Sequence, residues 1–344
     1  MNHSWILPIA AFLLDCALGD PYYPFHPARL AGFLATRLEP QARRTLSSSV
    51  FGGAAAWAAI IGLFILAGIA LPAAFAALVR QAGAILFPGL ASDTLYRSSR
   101  AFAQILLIYA TIAPKDLALH AARVARALAS PEADPGERLA KARAAVSMIV
   151  GRDVQRLDEE GVIKATVESV AESAVDGVIA PLFWAFVAGA PGALAYRAIN
   201  TLDSLWGHRD ERYEKFGKAA ARADDAATWL PARLGFLAAL AALVPLSAVF
   251  PRSYSLRDAL VLGWRDKGKH ASPNSAWLEA LFAGALGLSL AGPAWYSGKL
   301  LPKPTLGEAR RSPEIADIHT SIFLMYSLTG AFLILGSALL IIAA

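Results

Sequence analysis

Two uncharged stretches, Thr45 to Val79 and Ser321 to Ala344, constrain this chain more than any other feature. Each exceeds the roughly 20 apolar residues that an α-helix needs to cross the hydrocarbon layer of a bilayer. A water-soluble core has little use for such runs. Only 17% of the 344 residues are charged and 56% are hydrophobic, whereas a soluble domain carries about 25% charge. The expected fold is all-α, a polytopic integral membrane protein. Shorter candidate spans run from Leu234 to Phe250, Ala280 to Ser297, Gly177 to Tyr196, Trp5 to Leu14 and Ala101 to Pro114.

The net charge of +5 is modest. Its Lys and Arg residues fall between apolar runs, where they set membrane topology, and nothing indicates a nucleic-acid partner. A single cysteine, Cys16, excludes an internal disulfide and offers no thiolate zinc site. The first apolar stretch lacks a basic leader and an A-x-A-like cleavage site, so no cleaved signal peptide is expected.

The section from 115 to 176 is the longest polar one and is expected to be mainly helical and extramembrane, within a single membrane-embedded domain, 1–344. Asp134, Pro135 and Glu137 make a helix start before "RLAKARAAVSMIV", with Gly151 suited to the stop. A second helix is predicted through Val162, Val167, Val170, Ala174 and Val178. It carries Glu168, Glu172 and Asp176 at i, i+4 and i+8, one helical turn apart. Like charges at this spacing disfavour the helix, so the stripe either faces water or invites a metal ion or a basic ligand. The following run, "GVIAPLFWAFVAGAPGALAY", is interrupted by Pro181, Gly189, Pro191 and Gly192. It reads as a broken or re-entrant segment, tolerated where protein or a water-filled cavity satisfies the loosened backbone.

Four polar clusters lie beside apolar segments. "LDCALGDPYYPFHPARL" holds Asp15, Asp20, His26 and Arg29; Asp15 follows an apolar run, where an ionisable residue is expensive. The acid stripe with Arg152 and Asp153 upstream is the second. "NTLDSLWGHRDERYEKFG" and "ARADDAATWLPARL" concentrate Asn200, Asp203, His208, Arg209, Asp224 and Asp225, of which the two adjacent acids cannot share one helical face. "RDKGKHASPNSAWLEA" holds Lys267, Lys269, His270, Ser272 and Asn274. The first three supply oxygen ligands suited to Mg²⁺, and the fourth supplies cations and polar donors suited to phosphate. The alternatives are a proline-rich connection for the first, a solvated helix face for the second and a lipid-facing anchor for the fourth. No G-x-x-x-x-G-K-[ST] loop and no G-x-S-x-G elbow is present.

These long motifs, in this order, resemble the CobD/CbiB family of cobalamin-biosynthesis membrane proteins over nearly the whole chain, with "KGKHASPNSAWLEALFAGALGLSLAGP" completing the set. Ser169 and Ser173 stand where the family pattern reads more like V-E-N or A-E-N, and Ser275 and Ala276 where it reads S-P-N-A-G. The carboxylates are kept, whereas amide contacts there are put in doubt.

The resemblance implies a multi-pass protein of the cell's inner (plasma) membrane. It also implies an ATP-dependent ligase joining adenosylcobyric acid to (R)-1-amino-2-propanol O-phosphate, or to aminopropanol, to give adenosylcobinamide phosphate. Membrane lipid and other cobalamin-pathway membrane enzymes are the further partners expected. Under it, Glu168, Glu172, Asp176 and Asp203 are the catalytic candidates. Asp15, Asp20, Glu168, Glu172, Asp176 and Asp225 are candidate Mg²⁺ ligands. Arg29, Arg152, Asn200, His208, Arg209, Lys267, Lys269, His270, Ser272 and Asn274 are candidates for binding substrate and the phosphates of ATP. Trp184, Trp206, Trp229 and Trp277 are candidates for stacking on the corrinoid. A carboxylate stripe beside a broken helix also suits a proton- or cation-coupled transporter, and a scaffold for pathway enzymes is a third reading.

Overall fold

The computed structural model describes residues 5–21, 23–86, 92–131, 134–208 and 210–343. Among them the chain is helical almost throughout, and five helical stretches are long and apolar enough to cross a membrane: Val50–Leu86, Asp93–Leu128, Glu159–Trp206, Lys218–Val249 and Ile315–Ile342. This is a multi-pass membrane protein. It divides into two compact units, the first comprising Met1–Ala113, Ala180–Ala227 and Gly336–Ala344, the second Pro114–Ile179 and Thr228–Leu335.

The helices in chain order are α1 (Ile6–Leu18), α2 (Pro27–Thr45), α3 (Val50–Leu86), α4 (Ser92–Tyr109), α5 (Pro114–Leu128), α6 (Pro135–Val146), α7 (Glu159–Ala174), α8 (Ala180–Trp206), α9 (Lys218–Val249), α10 (Leu256–Asp266), α11 (Ser275–Leu286) and α12 (Ile315–Ala343). A π-helical turn, Val175–Ile179, joins α7 to α8. Four three-residue strands lie between α11 and α12: β1 (Ser289–Ala291), β2 (Ala294–Tyr296), β3 (Lys299–Leu301) and β4 (Thr305–Gly307). β1 pairs antiparallel with β4, Leu290 opposite Leu306, and β2 with β3, Trp295 opposite Leu300.

In the first unit, α2, α3 and α8 pack through small and aliphatic residues: Ala31 and Ala35, Ile60 and Phe64, Ala198 and Leu202. Gly68 allows α3 to approach α8 closely, because a Cβ there would lie 2.5 Å from the Pro191 Cα. Close backbone contact through small residues is how helices associate in lipid, where apolar burial alone gives no preference for a neighbour. Trp206 and Phe216 close one end of this core, edge to face with ring centroids 5.3 Å apart.

α8 is broken, as its prolines and glycines lead one to expect. Ala188 (φ −137°, ψ 16°) and Gly189 (φ 64°, ψ −149°) leave the helical conformation. Gly189 is in the left-handed half of the map, which favours glycine, and a Cβ there would meet the Gln104 Oε1 at 3.1 Å.

In the second unit the start of α6 is as predicted: Asp134 accepts from the Gly136 and Glu137 amides, and Pro135 opens the helix. The helix stops at Val146, four residues short of the expected stop near Gly151, because Ser147 already caps it. α7 begins with an Asp158 cap, and Val162, Val167, Val170 and Ala174 are all buried.

Two expected spans do not form. The stretch from Ala280 to Ser297 is cut at Gly287 (φ 67°), the left-handed cap of α11, and continues as strands. The one from Trp5 to Leu14 is part of α1, whose 13 residues reach only about 20 Å, against a hydrocarbon core of about 30 Å.

Candidate functional site

The strongest convergence of reactive side chains is a cavity of about 240 Å³ in the second unit, lined by Arg152, Glu168, Glu172, His270, Tyr296 and Lys303 among others. α7 supplies both acids. One wall is the turn after α6, which the Ser169 hydroxyl fixes by donating to the Ile149 carbonyl at 2.7 Å. The opposite wall is the β2–β3 hairpin, and Asp153 holds it: its carboxylate accepts from the Ser297 and Gly298 amides at 3.2 and 2.7 Å, while its own N–H donates to the Trp295 carbonyl at 2.8 Å.

Arg152 pairs with Glu168 inside this wall, with both side chains largely buried. The second oxygen of Glu168 accepts the Ala291 N–H at 3.2 Å. Ala291 itself has φ 57°, a strained value for a residue with a Cβ. Burial alone would loosen the Arg152 proton, but the neighbouring Glu168 carboxylate holds it more firmly than usual. Glu168 is thus committed to a structural pair, and a water-facing acid stripe is ruled out at its position.

Glu172 differs. It is in no ion pair among the described residues and is exposed, lining the cavity with Glu168, Lys303 and Arg152 as electrostatic neighbours. Asp176, half-buried, falls in the π-turn and is not among the cavity's lining residues.

Burial, reinforced by the Lys303 ammonium, holds the His270 imidazole below its ordinary pKa. Its Nδ1 accepts the Ser272 N–H at 3.0 Å. A neutral ring with Nδ1 as acceptor carries its proton on Nε2, ready to donate. Lys303 donates to the Tyr296 hydroxyl at 2.6 Å.

Three functional candidates were not singled out by sequence: Tyr296, Lys303 and Glu279. Glu279 is 1% exposed, its Oε2 has no hydrogen-bond partner, and its electrostatic neighbours are Glu172 and Glu168. A single acid in the apolar run "WLEALFAGALGLSLAG" is the signal that marked Asp15, and it applies equally here. For Lys303 the signal is weaker: a cation between two prolines, on a stiff backbone.

The other cations of "RDKGKHASPNSAWLEA" serve elsewhere. Lys267 lies 3.3 Å over the Trp264 ring and donates to the Trp264 carbonyl. Lys269 pairs at 2.7 Å with buried Asp266, which also takes Arg265 and the Gly307 N–H. Burial would raise the Asp266 carboxyl, yet these partners hold it far below the usual range. Ser272 accepts the Asn274 N–H, and Asn274 accepts from Arg233 at 3.1 Å. Arg233 lies over both Trp229 and Trp277, Trp184 donates to the Ala227 carbonyl, and Trp206 is core.

The first unit holds a second group of acids. Asn200 donates to Asp224 at 3.2 Å, and Asp203 has Asp225, Asp224 and His208 as electrostatic neighbours. Asp20 lies 3.3 Å from His26, whose Nδ1 caps α2. Burial and the nearby Asp20 charge push the Tyr23 hydroxyl up to about 12. Asp15 is fully buried in α1, Arg29 is exposed in the first turn of α2, and Arg209 lies outside the described residues.

Among the described residues, no three His, Cys, Asp or Glu side chains converge to hold a metal by themselves. Mg²⁺ asks for less, using one or two carboxylates with substrate phosphates and water. Glu172, cavity-facing and unpaired, fits that demand; Glu168, occupied by Arg152, does not.

The family described as CobD/Cbib protein matches residues 8–325. The chain belongs to the CobD/CbiB family. It is similar to the cobalamin biosynthesis protein CobD of Streptococcus sanguinis, 41% identical over 94% of each chain. The CobD of Photorhabdus laumondii is 40% identical over 92% of this chain and 91% of that one, and the cobalamin biosynthesis protein CbiB of Salmonella arizonae is 39% identical over the same shares. No solved structure matches.

Proposed function

We propose that this protein works in cobalamin biosynthesis, in the cell's inner (plasma) membrane. Its reaction is ATP-dependent amide-bond formation between adenosylcobyric acid and (R)-1-amino-2-propanol O-phosphate, or aminopropanol, giving adenosylcobinamide phosphate. Family membership supports the pathway. The observation that carries the chemistry is the cavity where Arg152, Lys303 and neutral His270 face Glu172.

A carboxylate and an amine do not condense unaided in water. The carboxylate oxygen attacks a phosphorus of ATP, expelling ADP or pyrophosphate. The amine nitrogen then attacks the acyl carbon, loses a proton and expels phosphate or AMP. Charge develops on phosphoryl oxygens, and preorganised cations in a water-poor site stabilise it. In this reading Lys303 and the His270 Nε2–H take that task, and Arg152, paired with Glu168, lines the same cavity. Mg²⁺, held by Glu172, would offset phosphate charge.

The test is direct: the detergent-purified full chain is given adenosylcobyric acid, the amine and Mg-ATP, and the amide is followed by mass spectrometry. Product in the wild type, and its loss in Glu172→Gln, is the expected result. No product, with corrinoid or cation accumulating in proteoliposomes, would make it a transporter. Full activity of a partner enzyme regardless of acid substitutions would make it a scaffold.

A further inference from the structure

Arg152 and Glu168 border two hollows. The second, about 270 Å³, is also lined by Asp153, Arg156, Lys164 and Trp295, and Arg152 and Glu168 are the only lining residues it shares with the first. Its charges do not balance. Both carboxylates are committed, Glu168 to Arg152 and the Ala291 N–H, Asp153 to two hairpin amides. Two of the three cations are not. Lys164 has only a loose pair with Glu160 at 3.9 Å on the same helix, and Arg156 is in no ion pair among the described residues.

Arg156 is nevertheless held in place. Its guanidinium lies 3.7 Å over the Trp295 ring, which fixes the plane of the fork. A stacked guanidinium keeps its N–H edges free for an oxyanion, with less side-chain entropy left to lose on binding. An orientated Arg and a Lys lining one hollow whose two carboxylates are already engaged suit a dianion better than a single carboxylate.

We propose that this second hollow is a phosphate-binding subsite, partitioned from the larger constellation by the Arg152–Glu168 pair. It does not depend on the amide ligation. The phosphate belongs either to a soluble ester or to the headgroup of an anionic lipid, and the chemistry of recognition is the same.

Trp295 reports on the subsite. Inorganic phosphate is titrated into the detergent-purified full chain at constant ionic strength, followed by tryptophan emission and by calorimetry. The expected result is saturable binding with an emission change that Trp295→Phe abolishes. Arg156→Gln combined with Lys164→Gln should weaken the binding read by Trp295 emission about ten-fold or more, as the loss of two charge-assisted contacts implies, while Lys303→Met leaves that emission change in place. Repeating the titration in nanodiscs identifies the source: anionic lipid that suppresses the response assigns the site to a headgroup, and indifference to lipid assigns it to a soluble ester. Binding that survives the double substitution, or that is lost only in Lys303→Met, or no binding by either readout, overturns the proposal. Failure to form amide product leaves this result untouched, so the two ideas fall separately.

Discussion

Two acids lining the second unit's cavity have cations beside them, whereas Asp203, Asp224 and Asp225 of the first unit lie close to one another. Around the cavity, Glu168 has Arg152, and Glu172 has Lys303 and Arg152 within electrostatic reach. Asp203, Asp224 and Asp225 have each other, with Asn200 and His208 as the polar neighbours. A set of carboxylates already matched to cations is a framework that can hold its shape without a ligand. Carboxylates set close to one another hold strain that a cation would relieve. The contrast is chemical, and four substitutions probe it.

The largest effect is expected at Arg152. Arg152→Met leaves Glu168 buried without its cation, a defect of about 3–5 kcal/mol. Unfolding in detergent should show it, and adding Glu168→Gln should restore most of the loss. If the single substitution costs nothing, the second unit's acids are not cation-matched in the sense drawn above.

Glu172→Gln keeps the shape of the cavity and removes its unpaired charge. Turnover should fall about 100-fold with little change in unfolding midpoint, as measured by amide formation and a thermal scan. A parallel loss of stability would make Glu172 a structural acid like Glu168.

Glu39 provides a control within the first unit, since there one acid is fully matched. It accepts from Arg43 at 2.9 Å, from two nitrogens of Arg212 at 2.9 and 3.1 Å, and from the Tyr213 hydroxyl at 3.1 Å. Burial would raise its carboxyl, but those donors hold it below the ordinary range. A depressed pKa means that its stabilisation is present above the unfolded-chain value of about 4.3 and is lost as the pH falls through the folded-state value. Glu39→Gln should cost about 1 kcal/mol near neutrality, since Arg212 is exposed and screened. The difference from wild type should vanish in acid, which a midpoint-against-pH series would reveal.

The smallest effect is expected at Asp203. Asp203→Asn removes one of these neighbouring like charges, so stability in chelator should rise by roughly a few tenths of a kcal/mol. The gain in midpoint on adding Mg²⁺ should shrink. A lower midpoint in chelator would show that favourable contacts at Asp203 outweigh the repulsion.

Local chemistry is what the amino-acid sequence discloses best. The Asp134-Pro135 start of α6, the buried stripe of α7 and the break in α8 all follow from capping, periodicity and backbone preference within a few residues. The apolar count from Ala280 to Ser297 misleads because it is blind to a left-handed glycine: Gly287 ends α11 and the same composition becomes strand. Tyr296 and Lys303 stay hidden for another reason. Their place in the cavity depends on Asp153 gripping the hairpin amides from far away in the chain. Lys267 and Lys269 show the converse, residues of the right type and near the right motif whose charges Trp264 and Asp266 absorb.

The interruption at Gly189 also bears on how the protein enters the bilayer. It frees peptide groups around Ala188 and Gly189 that oil will not solvate. The break is therefore costly in lipid without polar neighbours. Its insertion must wait for neighbours such as the Gln104 side chain beside the break, which makes biogenesis of this region an act of assembly.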